Sequence, residues 1–209
     1  DILSGTEISG VLRERIATAA RRLAEGGTPA GLATVVVGEH AASLSYIRSK
    51  QRACEQTGIQ GRDIRLPAET DEQELLAQIE ALNADHSVHG ILVQQPLPGH
   101  INTERVIAAI DPRKDVDGLH PVNLGRLLRG LPALVPCTPY GVVKMLQEAQ
   151  VETSGARVTI VGRSLLVGKP LAALLMRKGR GGNATVTVCH SRTKEIGAAT
   201  RESDIVIAA

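Results

Sequence analysis

Short, continuous apolar runs alternate with helix-like stretches along this whole chain, and that alternation narrows its fold more than any other feature. Leu32–Gly38, Asp63–Leu66, Val88–Val93, Arg157–Val161, Ala184–Cys189 and Asp204–Ala208 all have strand length. Between them, Ile8, Val11, Leu12, Ile16, Ala19, Ala20 and Leu23 recur at helical spacing from Thr6 to the Gly26-Gly27 stop. Further helices are predicted over Ser43–Thr57, Asp71–Asn83 and Pro170–Arg177, and one starts at Thr138-Pro139 and runs to about Ala149. Strands that are apolar throughout, separated by helices, predict parallel sheets covered on both faces. The expected fold class is therefore α/β in two domains. Asp111–Pro139 carries five prolines and reads as an extended crossing segment.

Composition removes several classes of function. The chain has 209 residues with no Phe, no Trp and two Tyr, so its cores must be aliphatic and it cannot offer a stacking platform for nucleic acid. A net charge of +2 from 24 basic and 22 acidic residues, without a basic cluster, argues against general nucleic-acid affinity. Cys54, Cys137 and Cys189 are widely separated and odd in number, a poor disulfide framework that fits a reducing, cytoplasmic location. No apolar run exceeds strand length and no signal-like segment opens the chain, so no membrane partner is expected.

The strand–turn–helix stretch from Val158 to Pro170 is the place for a dinucleotide phosphate. Gly162 and Gly168 permit close backbone approach, and the start of the following helix favours an anion. An ATPase-type loop fits worse, because Pro170 follows Gly168-Lys169 where a metal-binding Ser or Thr is needed. Beyond the next strand, Cys189-His190-Ser191-Arg192-Thr193-Lys194 precedes the first acid, Glu195. That basic and hydroxyl lining suits the 2'-phosphate of NADP better than NAD. Three strands here form one mononucleotide half of a doubly wound, Rossmann-like sheet, incomplete at its C-terminal end.

Other candidates lie upstream. Tyr46 and Lys50 share a helix face and could act as an acid/base unit, or be a surface Lys beside a half-buried Tyr. Val93-Gln94-Gln95-Pro96-Leu97-Pro98 ends the third strand, where ligands or a plain turn are equally at home. In Lys114-Asp115-Val116-Asp117-Gly118 the paired carboxylates could bind a metal, hydrogen-bond a heterocycle or cap a turn. One pair is too few for a metal cage, and no metal site is assigned.

Taken in order, Tyr46-x-x-x-Lys50, Val93-Gln94-x-Pro96-Leu97-Pro98, Lys114–Gly118, Pro136-Cys137-Thr138-Pro139 and Gly162-Arg163-Ser164-x-x-Val167-Gly168-x-Pro170 closely resemble the bifunctional methylenetetrahydrofolate dehydrogenase/cyclohydrolase family, the FolD type. The resemblance implies an NADP-dependent enzyme that oxidises 5,10-methylenetetrahydrofolate to the methenyl form and hydrolyses that to 10-formyltetrahydrofolate, in the one-carbon supply to purine biosynthesis. It implies a folate-binding catalytic domain over residues 1–120, a connecting segment and helix over 121–150 and a partial NADP domain over 151–209, in a homodimer. Lys50 matches the catalytic lysine, Tyr46 the residue stacking on the aminobenzoate ring, Gln94 the partner of the lysine and Asp117 the pterin anchor, with Val93 and Pro96 beside the substrate. Gly162, Arg163, Ser164, Val167, Gly168 and Pro170, with His190 and Ser191, match the cofactor contacts.

On this assignment Lys50, with an unperturbed pKa of about 10.4, is expected to be lowered by desolvation and by the cationic methenyl carbon, while Gln94 orients it without a counter-charge. Gln95 stands where the family commonly has an apolar residue. The family also continues past Ala209, which implies a C-terminal portion beyond this chain. A shikimate-dehydrogenase-like oxidoreductase and a non-catalytic folate- or nucleotide-binding fragment are the alternatives.

Overall fold

Seven residues of β1 (Gly31–Val37) organise the first half of the protein in a computed structural model that describes residues 3–38 and 41–209, apart from the side chains of 41–47. Ala33 and Val35 are fully buried, as a strand flanked on both edges and both faces requires. β1 pairs in parallel with β2 (Gln60–Leu66) and β3 (Gly90–Val93), in the order β2-β1-β3. The helices are α1 (Gly5–Glu25), α2 (Ala41–Thr57), α3 (Glu72–Ala84) and α4 (Thr103–Ala109). Asp71 caps α3 by accepting from Glu74 N, and Leu75, Ile79 and Leu82 of that helix meet Val35, Ile91 and Val106 in the core.

The second half repeats the plan. Parallel strands β4 (Arg157–Val161), β5 (Thr185–Cys189) and β6 (Ile205–Ala208) lie in the order β5-β4-β6. With them go α5 (Pro121–Leu128), α6 (Cys137–Glu148), α7 (Gly168–Met176) and α8 (Ile196–Arg201). Ile160, Leu171, Leu174 and Leu175 are fully buried, and Leu127 and Val143 join them from α5 and α6. The core is aliphatic throughout. The chain divides into two compact units, Thr6–Val116 and Asp117–Ala209, residues 3–5 going with the latter.

Three elements depart from expectation. The proline-rich 111–139 segment holds α5, because Pro121 occupies the first helical turn, where its missing N–H costs nothing, and His120 Nδ1 accepts from Val122 N at 3.1 Å. α4, only seven residues long and capped by Asn102, is too short for its periodicity to be read. On α1 the apolar spacing is present, yet only Ala20 is buried while Val11, Ile16 and Leu23 are about half exposed.

In each sheet the chain leaves the central strand toward one edge and returns on the other side. That places a topological switch point at the carboxyl ends of β1 and β3, and another at those of β4 and β6, where open α/β sheets hold ligands.

Candidate functional site

Lys50 and Gln94 meet at the first switch point although 44 residues separate them: Lys50 Nζ donates to Gln94 Oε1 at 2.9 Å. Gln94 is the first residue beyond β3, and its N–H donates to Val35 O at 2.8 Å, prolonging the ladder to β1. Its Nε2 donates to Gln95 O at 2.8 Å, so the amide presents its oxygen to the lysine. A neutral acceptor holds the amine while favouring its charged form less than a carboxylate would. Val93, the last residue of β3, is buried in the apolar core, and Pro96 is exposed after a cis peptide bond. α2 is fastened to β2 by a hydrogen bond from Gln51 Nε2 to Asp63 Oδ2. One turn further, Cys54 packs against Gly61, and burial, followed by the charges of Asp63 and Glu55, pushes its thiol pKa up. Cys54 is thus a core thiol. Tyr46 lies one helical turn before Lys50, with its side chain outside the described residues.

In the Lys114–Gly118 motif each residue has its own placement. Lys114 Nζ donates to Leu82 O, Asn83 O and Asp85 O at 3.0, 2.8 and 2.7 Å, the carbonyls that end α3. Its own carbonyl accepts from Ile91 N at 2.7 Å, and Asp115 forms a parallel bridge with Ile91, so 114–116 adds a short strand-like piece beside β3. Asp115 is buried, at 1% exposure. Asp117 follows directly. Gly118, at φ 64°, brings its backbone against Val135 and Pro136, where a Cβ would lie 2.4 Å from the Val135 carbonyl carbon. Just upstream, Arg113 clamps Asp111 through side-chain and backbone hydrogen bonds, which lower the Asp111 carboxyl to a pKa of about 2. Sequence reasoning missed the roles of Lys114 and Asn83, because their partners lie 26 to 32 residues away and leave no local signal.

At the second switch point β4 is followed by Gly162, at φ 141°, whose N–H donates to Cys189 O at 2.8 Å. The loop then folds tightly onto the start of α7. A Cβ on Gly168 would stand 2.2 Å from Gly162 O and 2.6 Å from its carbonyl carbon, so only glycine fits. Ser164 closes the loop, its Oγ accepting from Val167 N at 3.0 Å and its carbonyl from Lys169 N at 3.0 Å. Neither a side-chain cap nor an acid occupies the first turn of α7, and Pro170 contributes no N–H there. Arg163 and Ser164 are exposed at its mouth. This glycine cradle at an acid-free helix N-terminus fits the pyrophosphate of a dinucleotide.

Beyond β5, Thr193 Oγ1 accepts from His190 N at 2.9 Å and His190 Nδ1 accepts from Arg192 N at 3.1 Å. His190 therefore shapes the turn that leaves Ser191 and Arg192 exposed at the end of the strand next to Gly162. An open cavity of about 820 Å³ also lies in this unit, lined by Leu127, Leu131, Val135, Met176, Arg177 and Arg180. It sits at the far end of α7 from Gly168, about 13 Å along a nine-residue helix, and is not the phosphate cradle. Among the described residues, no cluster of three or more His, Cys, Asp or Glu could hold a metal, and no helix is long and apolar enough to cross a membrane.

Comparison with known proteins matches residues 3–117 to the family described as tetrahydrofolate dehydrogenase/cyclohydrolase, catalytic domain, and residues 136–209 to its NAD(P)-binding domain. A bifunctional protein FolD of Haloquadratum walsbyi is 48% identical over 208 residues, all of this chain and 67% of that relative. The crystal structure of the bifunctional FolD methylenetetrahydrofolate dehydrogenase/cyclohydrolase from Campylobacter jejuni superposes with a TM-score of 0.96 at 41% identity, covering 100% of this chain and 73% of that one. A Trypanosoma brucei methylenetetrahydrofolate dehydrogenase-cyclohydrolase, solved with NADP cofactor and inhibitor, gives 0.93 at 34% identity over 100% and 71%.

Proposed function

We propose, from the premise that this chain belongs to the tetrahydrofolate dehydrogenase/cyclohydrolase family, that the Lys50–Gln94 pair is the catalytic centre of its two reactions. The chain is an NADP-dependent methylenetetrahydrofolate dehydrogenase and methenyltetrahydrofolate cyclohydrolase. The 2.9 Å bond between Lys50 Nζ and Gln94 Oε1 at a sheet switch point is the observation that carries the assignment of the centre.

In the hydrolytic step a water oxygen adds to the methenyl carbon as the C=N π pair moves onto nitrogen, and the neutral Lys50 amine takes the proton that the water gives up. The C–N5 bond then breaks, N5 receiving that proton while the remaining hydroxyl proton leaves to solvent and the formyl group stays on N10. Gln94 Oε1 fixes the direction of one Lys50 N–H in both protonation states, leaving the lone pair for the water. Tyr46 stacks on the aminobenzoate ring, Asp117 accepts from pterin N–H groups, and Val93 and Pro96 contribute to substrate binding. Asp117 gives directional recognition that an apolar slot cannot. When bound, NADP supplies the hydride acceptor for the oxidation. The backbone at Gly162, Val167, Gly168 and Pro170 cradles its pyrophosphate, Arg163 and Ser164 flank that group, and Ser191 with Arg192 receives the 2'-phosphate from the turn that His190 shapes.

The working division assigns residues 1–120 to folate binding and catalysis, 121–150 to the connection and 151–209 to NADP. The proposal extends to a cytoplasmic homodimer that supplies purine biosynthesis.

Absorbance of reduced NADP tests the dehydrogenase directly: methylenetetrahydrofolate and NADP with the purified protein give a steady rise at 340 nm. Calorimetric binding of both ligands without that rise would instead identify a non-catalytic binding protein. Gln94→Glu tests the pair. A carboxylate beside the lysine stabilises its ammonium, so the amine becomes available only at higher pH and the rate profile of hydrolysis moves up by about one pH unit or more. An unmoved profile would separate Gln94 from Lys50 in function.

A further inference from the structure

Resting on the reading of Asp117 as the pterin anchor, we infer that Lys114 is the positioning residue of the folate site, setting the register of the segment from which Asp117 emerges. All three N–H donors of its ammonium are spent on the carbonyls of Leu82, Asn83 and Asp85, at 3.0, 2.8 and 2.7 Å. Those groups are the negative end of the α3 dipole, so the cation is held by charge as well as by hydrogen bonds.

The same helix end grips the approach to the motif. Asn83 Nδ2 donates to Ala109 O at 2.8 Å, and Asn83 Oδ1 accepts from Asp111 N at 2.8 Å. The backbone of Lys114 completes the fastening, donating to Asp111 O and accepting from Ile91 N, both at 2.7 Å.

What this fastening fixes is register. Asp115 bridges Ile91, and Val116 fills the space above Gly90, where a Cβ would come within 2.4 Å of Val116 Cγ1. Successive residues of a strand face opposite ways, so a slip of one residue would drive another side chain onto Gly90 and turn Asp117 to the wrong side. The bridge is an isolated one rather than part of a longer ladder, and Lys114 adds a hold from the other side, through α3.

Steady-state hydrolysis of methenyltetrahydrofolate by wild type, Lys114→Met, Lys114→Arg and Asp117→Ala decides the matter, with NADP binding measured on each. A shift on the order of 1 Å at a positioned group is enough to cost up to about a hundredfold, so Lys114→Met is expected to raise the folate KM about tenfold while the NADP dissociation constant stays put. Lys114→Arg, which can still donate to the same carbonyls, is expected to recover most of that loss. A folate KM within about twofold of wild type in Lys114→Met, with Asp117→Ala impaired, overturns the proposal and leaves Lys114 a helix cap. If Asp117→Ala itself leaves the KM unchanged, the underlying reading of Asp117 fails, and the inference with it. Should Lys114→Met not fold, Lys114→Gln, which keeps a donor but loses reach and charge, carries the same two outcomes.

Discussion

Lys50→Met abolishes hydrolysis of methenyltetrahydrofolate, with kcat down by about 10²- to 10⁴-fold, and leaves the NADP dissociation constant unchanged. Methionine keeps the length and apolar stem of lysine but offers no lone pair to take a proton from water. It also leaves Gln94 Oε1 without the donor that stands 2.9 Å away. Gln94 remains tied through its N–H to Val35 O and through Nε2 to Gln95 O, so the loop is expected to keep its shape and the loss to fall on kcat. Initial rates of methenyl decay, paired with calorimetric titration of NADP, check both halves. Retained turnover would take Lys50 out of its role, whereas lost NADP binding would mean that the substitution had disturbed the fold.

The second large effect falls on the other unit. Gly168→Ala puts a methyl group 2.2 Å from Gly162 O, 2.6 Å from the Gly162 carbonyl carbon and 2.9 Å from Arg163 Cα, against backbone that cannot rotate away as a side chain can. Overpacking of this kind costs about 3 kcal/mol, and the loop must open to relieve it. Because Ser164 Oγ and Ser164 O tie that loop to Val167 and Lys169, opening it dismantles the cradle for the dinucleotide phosphates. NADP reduction is therefore expected to disappear and the melting temperature to drop, while hydrolysis, which needs no cofactor, survives in whatever fraction stays folded. Equal loss of both activities at a temperature where the variant is fully folded would argue against a separate nucleotide cradle.

How much of this was readable without coordinates differs from element to element. Leu32–Gly38 and Arg157–Val161 announce central strands because continuous apolar runs have few other uses in a chain with helices between them. They correspond to β1 and β4, the middle strand of each sheet. α5 stayed hidden because proline content signals a loop unless the proline happens to fall in a first helical turn, as Pro121 does. On α1, spacing alone describes an amphipathic helix, but periodicity carries no information about what, if anything, covers the apolar face.

The site residues divide along the same line. Gly162 and Gly168 were legible because close backbone approach demands glycine and the demand acts over six residues. Lys50 and Gln94 could be named as candidates, each with a plain structural reading beside it. The chain by itself thus determined which segments become the strands and the longer helices and which residues are chemically able to act, since propensity, periodicity and turn chemistry are local. Only the tertiary structure decided that Lys50 meets Gln94 across 44 residues and that Lys114 belongs to the end of α3, because pairings at that separation are set by sheet order and packing, which no window of sequence contains.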